Sequence, residues 1–234
     1  MNYKNIVILT GAGISQESGI ETFRASNGLW ENHNVEDVAT PEGFVRNPDL
    51  VYGFYNKRRR QLLSKKIQPN PAHKALVELE NACSGEFSLV TQNVDDLHER
   101  SGSKNVFHMH GELLSALCSK TNKRFAWKND LTADSENPST GEKRCLRPDI
   151  VWFGEQPYYL DEIYQALASC SLFIAIGTSG QVYPAASFVQ EVQMNQARTI
   201  EVNLEETEIS PYFQEHYYGP ASVEVPKLVR ALLG

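Results

Sequence analysis

Apolar residues gather along this chain in short unbroken runs, separated by longer stretches whose apolar positions recur every three or four residues. Residues 5–10 (NIVILT) and 171–176 (SLFIAI) carry almost no polar alternation, so they read as strands buried on both faces. Each ends in small residues, Gly11-Ala12-Gly13 and Gly177-Thr178-Ser179. Residues 87–91 (FSLVT) and 198–203 (RTIEVN) read as two further strands. Helical spacing fills 71–82, 160–169, 184–195 and 226–233, several with proline at or near the first turn, where its missing N–H costs nothing. Strands alternating with helices predict an α/β, Rossmann-like parallel sheet with helices on both faces. Ligands of such sheets bind at the carboxyl ends of the strands, where the Gly11, Thr91, Gly177 and Asn203 stretches would converge.

Two stretches interrupt the alternation. Residues 27–66 are loop-like around ENHNVEDVATPEGF and then helical over 49–65, with Leu50, Phe54, Arg58 and Leu62 at helical spacing. Residues 119–147 are polar and include NDLTADSENPSTGEK, which offers little to bury and reads as partly mobile. Both are expected to form a smaller lobe. The division is then 1–26, 67–113 and 148–234 for the Rossmann-like domain, with 27–66 and 114–147 as the inserted lobe.

Composition narrows the function. A chain of 234 residues can bury a substantial core without staples. With 22 basic against 29 acidic residues and a net charge of -7, affinity built on phosphate neutralisation is disfavoured, so no specific nucleic-acid partner is expected. No apolar run approaches the roughly 20 residues of a membrane span, and the first residues show no signal-peptide pattern. Four scattered cysteines fit a reducing compartment. A cytoplasmic protein without a membrane partner is expected.

Gly11-Ala12-Gly13-Ile14-Ser15-Gln16 follows a strand directly, as a phosphate-cradling turn would. By itself it is equally a tight strand-to-helix turn, because the dehydrogenase fingerprint needs glycine where Gln16 stands. The longer segment GAGISQESGIETFRASNGLW, however, resembles the cofactor-binding segment of the sirtuins, the NAD-dependent protein lysine deacylases. TQNVDDLH at 91–98, FHMHGE at 107–112, LRPDIVWFGE at 146–155, GTS at 177–179 and NLE at 203–205 are similar to further sirtuin blocks, in the same order. Together they span the chain apart from the second interruption.

The resemblance implies NAD as cofactor and assigns its contacts. Gly11, Ala12, Gly13, Ile14, Gly19, Phe23, Arg24 and Trp30 come from the first block. Gln92, Asn93, Val94 and Asp95 follow, with Gly177, Thr178 and Ser179 for the phosphates and adjacent ribose. Asn203, Leu204, Glu205 and Ala221 would serve the adenosine end. Asn93 would touch the ribose and Asp95 the nicotinamide amide, although such residues more commonly cap turns. Phe23 would cover the ribose and Arg24 meet the pyrophosphate, or the two are a local staple and a solvated cation. His110 would be the catalytic base with Asn93 beside it, since imidazole accepts a proton near neutrality. His108, two residues away, is the competing histidine.

An acylated lysine on a protein is the implied partner. Residues 151–155, through Val151, Phe153 and Gly154, and residues 180–183, ending at Tyr183, would let a substrate backbone add as a strand. Tyr55 and Arg58 lie three apart on the predicted helix and resemble the pair of the branch that removes succinyl, malonyl or glutaryl groups. Ala39 matches the small residue that leaves them room. The plainer alternative is that Arg58-Arg59-Arg60 is a solvated basic run. An arginine buried without its carboxylate is costly, so an empty pocket is expected to be wet or partly open. The products would be nicotinamide, 2'-O-acyl-ADP-ribose and the free lysine. Mono-ADP-ribosyl transfer and non-catalytic NAD or ADP-ribose binding are the rivals.

One departure stands out. Most sirtuins carry a structural zinc on two Cys-x-x-Cys pairs, whereas this chain has only Cys118 and Cys145 in that region. Two sulfurs cannot complete a tetrahedral shell. The site is expected to be vacant, with the lobe held by packing around Phe125 and Trp127.

Overall fold

The computed structural model describes residues 3–21, 29–30 and 33–234. Six parallel strands form the main sheet: β1 (Asn5–Thr10), β4 (Glu86–Thr91), β5 (Val106–His108), β9 (Leu172–Ile176), β10 (Arg198–Asn203) and β11 (Glu215–Tyr218). Their order is β11-β10-β9-β1-β4-β5, so the winding reverses at β1. In an open parallel sheet that reversal leaves a crevice at the carboxyl ends. The four strands expected from the apolar runs are present. The edge strands β5 and β11 are too short, and too mixed in polarity, to stand out in sequence.

Strand residues alternate between two cores, as the period of two requires. Ile6, Ile8, Leu89, Ile174 and Ile200 face α4 (Pro71–Ala82) and α8 (Ala221–Leu233). Val7, Leu9, Val90, Phe173 and Ala175 face α6 (Leu160–Ala168) and α7 (Phe188–Gln193). Two helices differ from expectation. α8 begins five residues before Pro226, which lies inside it rather than at its start. The segment expected to be helical over 184–195 opens as a 3-10 turn, Ala185–Ser187, before α7.

The loop-like stretch before residue 48 contains two short helices, α1 (Val35–Val38) and α2 (Pro41–Arg46), the second capped by the Thr40 hydroxyl accepting from Gly43 N at 3.0 Å. They lead into α3 (Pro48–Leu62). A two-residue strand, β2 (Leu29–Trp30), pairs with β3 (His33–Asn34). A second, antiparallel sheet joins β6 (Gly111–Cys118) to β7 (Arg124–Ala126) and β8 (Leu146–Ile150). α5 (Leu97–Ser101) follows β4. Among the described residues, no helix is long and apolar enough to cross a membrane.

The polar stretch at 119–147 buries more than its composition foretells. Leu131 is fully buried, and the Asn56 side chain of α3 grips its backbone twice, accepting from Leu131 N and donating to Leu131 O, both at 2.8 Å. Tyr52, Ala116, Cys118, Leu131, Cys145 and Leu146 form the centre of this small core. Phe125 and Trp127 pack on its outside rather than forming it.

Candidate functional site

At the carboxyl end of the sheet, the turns after β1 and β9 are pressed backbone to backbone. Gly13 N donates to Gly177 O at 2.9 Å, and a Cβ on Gly13 would lie 2.6 Å from Gly177 Cα. Gly177 itself has φ +60, and a Cβ there would fall 2.5 Å from Ile14 N. These glycines are therefore required by the mutual approach of two turns, a reason the sequence did not disclose. The segment after Gly11 is a 3-10 helix, Ala12–Ser18, ended by Gly19 in the left-handed conformation. Ile14 and Ser15 lie on its buried side.

The neighbouring strands extend this ledge. Asn203, ending β10, donates through Nδ2 to Thr178 O at 2.8 Å, tying the third turn to the second. Ala221 opens α8, and Ser222 next to it donates to both carboxylate oxygens of Glu17, at 2.9 and 2.6 Å. Leu204 and Glu205 are exposed at the rim, and Ser179 is exposed beside them. Gln92, ending β4, donates through Nε2 to the Thr178 hydroxyl at 2.9 Å. One continuous crevice thus gathers the first, second, fifth and sixth predicted blocks.

Asn93 and Asp95 sit at its floor, both buried. Asn93 N donates to the Thr91 hydroxyl at 3.0 Å, and Asn93 Nδ2 to Ser15 Oγ at 3.2 Å. Asp95 accepts from Ser15 Oγ at 3.0 Å and from Leu97 N at 3.1 Å, so it does cap the turn into α5. Burial pushes its carboxyl up to about 6, against the opposing bonds from Leu97 and Ser15. Val94 accepts from Leu113 N at 2.8 Å, which anchors the turn to β6.

The two histidines of the FHMHGE block have opposite chemistry. His110 Nδ1 lies 3.2 Å from the Gln92 carbonyl, which can only accept, so Nδ1 carries the proton and Nε2 the lone pair. Burial lowers the pKa of this ring below the ordinary imidazole value, against the Gln92 bond. His108 Nδ1 faces the Asn93 carbonyl at 3.2 Å and Nε2 faces Glu99 at 2.8 Å, so both nitrogens must donate. Burial acts to lower its pKa, but Glu99 prevails and holds it raised. His110 is a neutral acceptor, and His108 a cation that braces the Asn93 backbone.

Beyond His110 the chain enters the antiparallel sheet of β6, β7 and β8. Val151 N donates to His110 O at 2.9 Å, so the segment after β8 is fastened to the His110 backbone. Phe153 N donates to Ala39 O at 2.9 Å, Phe153 is half exposed, and Gly154 is open with φ +92. Tyr183 is 75 % exposed. Tyr55 is fully buried, and Trp152 donates to its hydroxyl from Nε1 at 3.1 Å. Arg58 is only 6 % exposed, donating to Phe54 O at 2.7 Å with its guanidinium carbon 3.2 Å from the centre of the Phe54 ring. Arg58 thus packs on an aromatic face and donates to a main-chain acceptor. This packing removes the alternative that Arg58 belongs to a solvated run. Arg59, fully buried and bonded to Leu113 O and Asn56 Oδ1, leaves that run too. Phe23 and Arg24 lie outside the described residues, and Trp30 is described only in its backbone.

From residue 11 to residue 184 the sequence matches the model of the Sir2 family. The chain belongs to the Sir2 family. It is 58% identical over 231 residues to an NAD-dependent protein deacylase of Bdellovibrio bacteriovorus, covering 99% of this chain and 97% of that protein. Among solved structures it is similar to a Sir2 homolog–NAD complex, with TM-score 0.87, 38% identity and coverage of 100% of this chain and 92% of the other. It is also similar to Sir2Tm bound to a propionylated peptide, with TM-score 0.79, 28% identity and coverage of 99% and 93%.

The zinc that the family implies does not fit this Sir2 protein. Cys118 and Cys145 are buried free thiols, and Cys145 Sγ is met by Asn137 Nδ2 at 3.8 Å and Glu142 O at 3.4 Å. Among the described residues no three His, Cys, Asp or Glu converge to hold a metal. Two sulfurs supply half of a tetrahedral shell.

Sequence reasoning passed over several residues of this Sir2 site. Ser15 bridges Asn93 and Asp95. His98 Nε2 bonds the Thr10 hydroxyl at 3.0 Å, Thr10 donates to Thr91 at 2.9 Å, and Thr91 accepts from Asn93 N. Trp152 lies between Val151 and Phe153, both of which were singled out. Its one signal was a large aromatic with an N–H that burial obliges to find an acceptor.

Proposed function

We infer that this Sir2 protein is an NAD-dependent protein deacylase whose acyl pocket admits dicarboxylic groups of the succinyl or malonyl type as well as acetyl. The observation that carries the enzymatic reading is His110: a neutral ring, oriented by the Gln92 carbonyl, at a crevice lined by interlocked glycine turns. A module that only binds a nucleotide has no use for such a base.

The crevice fits a dinucleotide. Gly11, Gly13 and Gly177 leave no side-chain volume on the turns, and Gln92, Thr178 and Asn203 present amide and hydroxyl groups along the ledge. Bound there, NAD would supply an activated ribose carbon with nicotinamide as leaving group. Asn93 would hold the ribose side, and His110 Nε2 would take the proton released from a ribose hydroxyl. The substrate main chain would add beside 151–154, so recognition rests on backbone bonds and tolerates many sequences.

The finer reading rests on Tyr55 and Arg58, three apart on α3 and both buried. An acetyl methyl has no use for a guanidinium and a phenol. A terminal carboxylate does, since both groups donate to it. Turnover with NAD on matched acetyl-lysine and succinyl-lysine peptides, with products weighed by mass spectrometry, tests both levels. Acyl-ADP-ribose from each peptide is expected. ADP-ribosylated protein without deacylation would favour the transferase reading, and acetyl turnover alone would reject the acidic-acyl pocket.

A further inference from the structure

We propose that Trp152, clamped by Arg147 and Glu155, is a specificity-positioning residue: its indole N–H sets the Tyr55 hydroxyl as a hydrogen-bond donor to the carboxylate of an acidic acyl group. This inference rests on the acidic-acyl reading above.

The geometry begins with burial. Trp152 is 3 % exposed and Tyr55 fully buried, so each polar tip must find its partner inside the protein. Trp152 Nε1 lies 3.1 Å from the Tyr55 oxygen, and an indole nitrogen can only donate. The phenol oxygen is therefore the acceptor in this pair. Its own proton must point along another direction, and as a donor it suits a carboxylate, which only accepts. Tyr55 and Arg58 lie one helical turn apart on α3, which directs both donors to one face. Burial holds the phenol well above its ordinary pKa, so the proton stays on the oxygen across the working range.

The indole is itself fixed. The Arg147 guanidinium carbon stands 4.2 Å from the centre of the Trp152 ring. Arg147 Nη2 donates to Glu155 Oε1 at 2.7 Å, while Glu155 Oε2 accepts from Trp152 N at 2.9 Å. Arg147 Nη1 also donates to Ile150 O at 3.3 Å. One carboxylate thus grips both the backbone of the tryptophan and the cation stacked on its ring. The opposite charges of Arg147 and Glu155 largely cancel at Tyr55, so the pair positions the ring rather than polarising the phenol.

None of this alters the reacting centre at His110, which gives the test its contrast. Trp152→Phe keeps the ring and removes the N–H. The ratio of its kcat/KM on a succinyl-lysine peptide to that on the acetyl-lysine peptide is expected to fall about tenfold, over and above any loss the two share because residues 151–154 also border the substrate main chain. The affinity of the NAD-free protein for the succinyl peptide should weaken in parallel. In combination with Tyr55→Phe, Trp152→Phe should add little, because the hydroxyl it orients is already gone. Glu155→Gln, which loosens the clamp and leaves the indole, should lower the succinyl-to-acetyl ratio in the same direction by a smaller factor. Equal losses on both peptides in either variant, or full additivity with Tyr55→Phe, would overturn the proposal. Arg58→Met is the control for the underlying reading. If it fails to lower the ratio, the acidic-acyl pocket itself is rejected; if it lowers the ratio and Trp152→Phe does not, only the role of Trp152 is lost.

Discussion

His110 presents Nδ1 to the Gln92 carbonyl at 3.2 Å, and that single bond decides which nitrogen of the ring is basic. Two residues earlier, His108 has a carbonyl on one nitrogen and a carboxylate on the other, which leaves it no lone pair to offer. Spacing alone puts the two rings on an equal footing. Their partners leave a lone pair on His110 and none on His108.

Replacing His110 by Ala is expected to lower kcat by roughly 10²- to 10⁴-fold, the usual contribution of a positioned base. NAD affinity, followed by calorimetry, should change little, because the glycine turns and the ledge from Gln92 to Asn203 remain. Appreciable deacylation by the variant would remove the base assignment.

Acid should silence the enzyme through the same ring. Burial depresses the His110 pKa below the ordinary 6.5, so Nε2 stays unprotonated and competent until the pH falls beneath that value. A plot of log kcat/KM against pH is expected to show an acid limb with its midpoint below 6.5. A limb centred above it would mean that a different group, or a charged His110, governs turnover.

Arg58→Met should reduce kcat/KM for a succinyl peptide by about 30-fold, corresponding to about 2 kcal/mol for a charge-assisted hydrogen bond lost from a buried site. The acetyl peptide should be affected far less. Equal reductions would show that Arg58 supports α3 rather than meeting substrate.

Gly177→Ala tests the interlocked turns. The added Cβ would fall 2.5 Å from Ile14 N at a φ of +60, so both strain and collision oppose it. A loss of about 2 kcal/mol or more in folding stability is expected from denaturant titration, with weaker NAD binding alongside. An unchanged midpoint would show that the turns can separate freely.

Much of this was legible in the linear chain. The runs at 5–10 and 171–176 could only be strands buried on both faces, and alternation with helices left a parallel sheet as the economical arrangement. The blocks around His110 and Asn93 pointed to the chemistry through their resemblance to sirtuin blocks in the same order, since by residue type alone Asn93 and Asp95 would more commonly cap a turn. The small lobe was less readable. Leu131 is one apolar residue in a polar stretch, and its burial depends on Asn56, 75 positions away.

The sequence by itself determined the α/β class, the strand ends that form the crevice and the residues able to do the chemistry, because local periodicity and side-chain identity are properties of neighbours along the chain. Only the tertiary structure decided how those residues are poised: His110 neutral and His108 charged, Arg58 buried on Phe54 rather than in a solvated run, and Trp152 bonded to Tyr55 across 97 positions. Protonation, burial and donor direction are set by groups that meet in space, and no spacing along the chain encodes which partners those will be.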